Sequence, residues 1–254
     1  MVVIYHSCTV FFTPHTYHLS EGLSGVLLLI ASYGYLGVPI FFVISGYCIS
    51  ATAQNTLRNR HRVSTFFIRR FRRIYPPYWI LLGALVPIAF LVYYFFPENA
   101  PCMRLSNPAH LHFWQWIGNF SLTETWRYHV VGPSHDLFLK PIWTLAYEEQ
   151  FYALTGLIIL LMPQHFFRGA VVISLITLFC EQVISRFGFR FTSLFLDGSW
   201  QMFAAGIVVY YKVNRANLRQ NRFLTGILWV GVLYCFRHPS LLLQGSDDFL
   251  NCRR

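Results

Sequence analysis

The chain has 254 residues, of which 55% are hydrophobic, 19% aromatic and only 12% charged. A soluble domain carries about a quarter charged residues, so this composition excludes a water-soluble globular protein and points to a polytopic membrane protein. The net charge of +10 suits basic residues held on one side of a bilayer better than a nucleic-acid surface, and no nucleic-acid partner is expected.

A bilayer is crossed by about 20 apolar residues. The opening stretch "MVVIYHSCTVFF" is apolar from its first residue, lacks the basic start of a cleavable signal peptide, and is short for a crossing. "GLSGVLLLIASYGYLG" follows as an apolar connector, and "YLGVPIFFVISGYCISATA" reads as a span near residues 35–53. Further spans are read near 75–96, 142–162, 169–187, 199–213 and 223–236. The expected fold is all-α: a polytopic transmembrane helical bundle of about seven spans, forming one membrane-embedded domain over residues 1–254.

Alternate loops carry most of the basic residues. Arg58, Arg60, Arg62, Arg69, Arg70, Arg72, Arg73, Arg168, Lys212, Arg215, Arg219 and Arg222 fall on one side, against Arg104, Arg127, Lys140, Arg186 and Arg190 on the other. The richer side is read as cytoplasmic, so the stretch near 97–140 is expected to face outward. Tyr75, Tyr78, Trp79, Tyr93, Tyr94, Trp143, Trp200, Tyr210 and Tyr211 cluster near span ends, as an interfacial aromatic belt does. Asn119-Phe120-Ser121 is a glycosylation sequon on the outward side. The six cysteines are scattered without a CxxC pair, which argues against a disulfide scaffold or a zinc site.

Three features carry chemistry. Glu148 and Glu149 sit at the start of the apolar run "TLAYEEQFYALTGLIILLM", where a carboxylate costs a few kcal/mol. They lie about 100° apart on a helix, so one can turn into the bundle while the other reaches the interface. A polar helix start resting in the headgroups is the alternative. His6 lies in the first apolar run. It is either a general base, since imidazole takes a proton near neutral pH, or a core histidine bonded to a carbonyl. Arg69, Arg70, Arg72 and Arg73 stand at the mouth of a span among Phe and Tyr. They suit a polyphosphate, which guanidinium grips in a fork, or an anionic lipid surface. Gly34, Gly37, Gly46 and Ser45 are read as small residues for close helix packing. The histidines offer no diagnostic metal spacing, so no metal is expected.

In order along the chain, "VVIYH", "GYLGVPIFFVISGYCIS", "FFIRRFRRIYPPYW" and "PIWTLAYEEQFY" resemble the acyltransferase 3 family of integral membrane O-acyltransferases, which includes O-antigen and Nod-factor acetyltransferases. "WIGNFSLT" and "FAAGI" are weaker echoes, and the resemblance covers about residues 1–210. It implies transfer of an acyl group, typically acetyl, from acyl-CoA to a hydroxyl of a sugar or other cell-surface or exported acceptor, with no bound cofactor. By position it makes His6 the catalytic base or a transient acyl carrier. Glu148 and Glu149 become the acids that orient the histidine or the acceptor, and Arg69, Arg70, Arg72 and Arg73 the donor-phosphate site. The family's arginine about ten residues before the histidine has no counterpart, because five residues precede His6, and the family's "GVD" is "GVP" at Gly37–Pro39. Members also continue through further spans, so a chain incomplete at both ends is expected.

The rival reading is a transporter or flippase-like carrier of an anionic or lipid-linked solute, whose path the buried acids and basic mouth would line. A non-catalytic relative is the third. Thioester consumption separates the enzyme from both. The expected location is a plasma or inner membrane with the basic loops cytoplasmic.

Overall fold

The computed structural model describes residues 36–59, 62–97, 105–187, 193–196 and 198–237. The apolar opening stretch with His6 lies outside the described residues. Among those described the chain is helical, with one isolated antiparallel bridge between Leu105 and Leu139. The longer helices are α1 (Gly37–Arg58), α2 (Val63–Phe95), α3 (Phe113–Phe120), α4 (Glu124–Arg127), α5 (Trp143–Leu161), α6 (Phe166–Gln182), α7 (Ser199–Asn214) and α8 (Leu218–Arg237).

Five of these coincide with stretches expected to span. Length and composition qualify α1, α2 and the run Pro163–Gln182, which contains α6, as membrane-crossing among the described residues. Among the described residues, α5, α7 and α8, also read as spans, do not qualify. α7 has 16 residues, about 24 Å at 1.5 Å per residue against a hydrocarbon core of about 30 Å. α5 carries Glu148, Glu149 and Gln150 in its first half.

α2 differs most from expectation. The sequence places the basic cluster in a loop before a span starting near 75, whereas the helix starts at Val63 and runs 33 residues. The cause is a stripe of residues four apart: Phe66, Arg70, Ile74, Tyr78 and Leu82 are all buried, and that spacing lies along one helix face. Pro76, Pro77 and Pro87 sit inside the helix, as membrane helices allow when neighbours satisfy the freed carbonyls.

α1 and α7 meet backbone to backbone. A Cβ on Gly46 would lie 1.9 Å from the Phe203 carbonyl oxygen, and one on Gly206 would lie 2.0 Å from that of Val43. Only glycine permits this approach. The helices run parallel: the Tyr47 and Tyr210 rings are 5.3 Å apart, and Arg215 Nη2 donates to Gln54 Oε1 at 2.5 Å. The basic turns after α1 and α7 therefore share one end of the bundle, as the charge alternation requires. Phe42, Phe151, Trp200 and Phe203 fill the centre, with Phe151 centroids 5.4, 5.7 and 4.8 Å from the other three.

The stretch between α2 and α5, expected as an outward loop, is folded against the side of α2. Tyr93 donates to the Leu105 carbonyl at 2.8 Å, Trp79 to Phe120 at 3.0 Å, Tyr78 to Asn119 at 2.5 Å and Tyr75 to Ser121 at 3.1 Å. From Tyr93 to Tyr75 is five turns of helix, about 27 Å. Inside this segment Asn119 is buried and its amide is consumed. Nδ2 donates to the carbonyls of Gln115 and Asp136 at 2.9 Å each, and Oδ1 accepts from the Phe138 amide at 2.8 Å. The sequon asparagine is thus a buried structural residue in the folded chain, closed to a glycosyltransferase.

Candidate active site

Three helices bring polar groups together at the middle of the bundle. On α5, Glu148 and Tyr152 are one turn apart on the buried face, so the Tyr152 hydroxyl reaches Glu148 Oε1 and donates to it. From α1 the Ser45 hydroxyl donates to the same oxygen. From α2 comes Arg70, whose Nη1 donates to the Tyr152 hydroxyl at 3.4 Å and whose Nη2 donates to Thr52 Oγ1 at 2.8 Å. Its guanidinium carbon stands 4.8 Å from the centre of the Tyr152 ring, within cation–π range. Ser45, Arg70, Glu148 and Tyr152 are all buried.

The surroundings fix these positions. Ser45 precedes Gly46, whose backbone touches α7, so α1 cannot slide without breaking that contact. Phe42, one turn earlier, rests on Trp143, Tyr147 and Phe151 of α5 at 5.4–6.4 Å between rings. α2 closes on α5 through Phe67, whose ring would be 2.1 Å from a Cβ at Gly156.

Glu149 points elsewhere, as the 100° step demands. Its carboxylate lies beside the Tyr75 hydroxyl of α2, which donates to the Ser121 carbonyl at 3.1 Å. One acid faces the inner network and the other faces the segment between α2 and α5. The arginines divide as well. Arg69, Arg72 and Arg73 are exposed on the outer side of α2, while Arg70 is buried against Tyr152. The spacing that puts 69, 72 and 73 on one face is the spacing that sends 70 inward. His6 lies outside the described residues.

Ser45, Thr52, Tyr75 and Tyr152 were not anticipated as site residues. Tyr152 had a signal, being four residues after Glu148. Ser45 lay within a quoted motif but read as a small packing residue, and nothing in a single sequence ties it to a partner 103 positions away. Among the described residues no group of three metal-ligating side chains comes together. His129 and His135 instead flank the Tyr128 ring at 4.1 and 5.0 Å.

The arrangement presents a carboxylate gripped on one oxygen by two hydroxyls, with a cation one residue behind. Such a group can orient an imidazole or a substrate hydroxyl in surroundings that exclude water, where electrostatic effects are large.

Comparison with known proteins bears on this geometry. The chain is 32% identical over 130 residues to the peptidoglycan O-acetyltransferase OatA of Listeria monocytogenes, covering 48% of the chain and 19% of that protein. It is 29% identical over 177 residues to the O-acetyltransferase OatA of Staphylococcus aureus strain NCTC 8325, covering 64% and 26%. A third relative, an uncharacterised protein of Haemophilus influenzae, is 31% identical over 142 residues, covering 56% of the chain and 55% of that protein. The chain therefore spans about a fifth to a quarter of the length of the two OatA relatives. No solved structure matches it. The profile of the acyltransferase 3 family, described as an acyltransferase domain, matches residues 1–250, and the chain belongs to that family.

Proposed function

We propose that this chain is a membrane O-acyltransferase that moves an acetyl group from acyl-CoA to a hydroxyl of a sugar in a cell-surface or exported glycan. It would act as one membrane-embedded domain of about seven spans in the plasma membrane, its basic end cytoplasmic. The observation that carries the reading is Glu148, buried in an apolar bundle and held by Ser45 and Tyr152 with Arg70 behind them. A buried carboxylate held by neutral hydroxyls costs stability, and chemistry explains its retention.

In the reaction His6 takes the proton of the acceptor hydroxyl as that oxygen attacks the thioester carbonyl. The tetrahedral intermediate collapses, the carbon–sulfur bond breaks, and the CoA thiolate takes the proton back from the imidazolium. The products are the acetyl ester and free CoA. Glu148 orients the imidazole and balances its charge. Glu149, beside Tyr75 and the segment at Ser121, orients the acceptor. Arg69, Arg72 and Arg73 receive the phosphates of CoA at the basic end, and Arg70 belongs to the acid site.

The test uses membranes containing the full chain, with acetyl-labelled CoA and a glycan acceptor. Label should pass to the acceptor in the wild type and not in His6→Ala. Solute movement without thioester cleavage would replace this reading with a carrier.

A further inference from the structure

Helix α3 is built inside out for a segment in water. Its buried residues are polar or small, with Trp116 half-buried beside them on Phe138: Gln115 donates to the Ser134 carbonyl at 2.9 Å, and Asn119 is spent on Asp136 and Phe138. Gly118 presses against Glu124 so tightly that a Cβ would lie 2.0 Å from its Oε2. The outward residues are Phe113, Trp114, Ile117 and Phe120, which are 71%, 44%, 40% and 52% exposed. Their spacing places them on one arc of about 120°.

The depth of this face is fixed by α2. Phe120 stacks on Trp79 with ring centroids 5.1 Å apart and an interplanar angle of 19°, and Trp79 is the middle residue of α2, with 16 helical residues on either side. The last residue of the basic cluster, Arg73, is six positions earlier, about 9 Å along the helix. Everything after Trp79 in α2 is uncharged, and Ile80, Leu81, Ile88 and Leu91 leave that surface exposed and apolar. The outer face of α3 thus adjoins, through Phe120 and Trp79, a helix long and apolar enough to cross a membrane.

We infer that α3 lies at hydrocarbon depth, with Phe113, Trp114, Ile117 and Phe120 against lipid acyl chains. The segment between α2 and α5 then re-enters the membrane, which is tolerated because its backbone and polar groups are satisfied internally. The occupant of this face is lipid, because the face is uncharged and merges with the flank of α2. The inference does not depend on the proposed reaction.

Single-cysteine variants Phe113→Cys and Ile117→Cys of the full chain, spin-labelled in phosphatidylcholine vesicles, test it. Leu91→Cys gives the lipid reference and Asn59→Cys the aqueous one. Both α3 labels should collide with oxygen as the Leu91 label does and be shielded from a water-soluble nickel chelate, with collision rates about tenfold below that at Asn59. Nickel collision equal to that at Asn59, at either position, overturns the inference. So does a disulfide-linked dimer through Ile117→Cys, which would make a second copy the occupant. The two sites are exposed and answer independently, so misfolding of one variant leaves the other to decide.

Discussion

Two buried carboxylates in this chain are held in opposite ways. Glu124, fully buried at 0% exposure, receives Arg127 Nε at 2.8 Å and Nη2 at 2.9 Å, and the Asp136 amide at 2.9 Å. Arg127 then spends two further donors on the carbonyls of Val131 and Pro133. That is a closed ion pair with both partners committed to folding the segment between α2 and α5. Glu148, at 7% exposure, takes hydroxyls from Ser45 and Tyr152 on one oxygen, and the nearby cation Arg70 reaches it only through Tyr152. A carboxylate needed for architecture is paired directly with arginine, because an unpaired partner inside would cost several kcal/mol. On the proposed reading Glu148 is kept for chemistry, steadied by the neutral hydroxyls of Ser45 and Tyr152 and not locked to a cation.

The contrast is sharpest for matched glutamine variants. Glu148→Gln should lower acetyl transfer about a hundredfold to ten-thousandfold, as when a carboxylate that orients a general-base imidazole loses its charge, with little change in thermal stability in detergent. Glu124→Gln should do the reverse. It leaves Arg127 buried without its counter-charge and should cost about 3–5 kcal/mol of stability, read as a fall in denaturation midpoint, while turnover per folded molecule is kept. Ser45→Ala comes next. A hydrogen bond to a charged group is worth about 1.5–3 kcal/mol, so kcat should drop about tenfold to a hundredfold with the KM for acetyl-CoA unchanged. Ser45→Thr, which keeps the hydroxyl, should restore most of it. Smallest is Gly46→Ala. Its added methyl meets the Phe203 carbonyl and should cost about 1–3 kcal/mol by overpacking, with activity falling in step as α1 shifts Ser45.

The sequence carried much of the fold, and for identifiable reasons. Apolar runs located α1, α5, α6, α7 and α8 as helices because an apolar stretch of that length pairs its backbone within itself, although of these five only α1 and the run containing α6 have the length and composition of a crossing among the described residues. The beginning of α2 escaped because its helical stripe contains Arg70, which counts as polar until its burial is known. The segment from Leu105 to Ile142 reads as an outward loop because Gln115, Asn119, Glu124 and Arg127 are buried in it while Phe113, Trp114, Ile117 and Phe120 face out, the reverse of the pattern used to recognise water-soluble structure. In the site, Glu148 and Glu149 stood out as misplaced charges. Ser45 and Tyr152 did not, since hydroxyls in an apolar helix commonly bond their own backbone, as Ser50, Thr52 and Thr56 do here. The four arginines looked like one cluster because adjacency in sequence hides the turn that buries Arg70.

The claim that Glu148 acts and Glu124 builds is tested most directly by measuring initial rates of acetyl transfer, per folded molecule, for Glu148→Gln and Glu124→Gln in parallel with the wild type. The predicted result is a rate for Glu148→Gln at least about a hundredfold below that of Glu124→Gln. Equal rates in the two variants would contradict it.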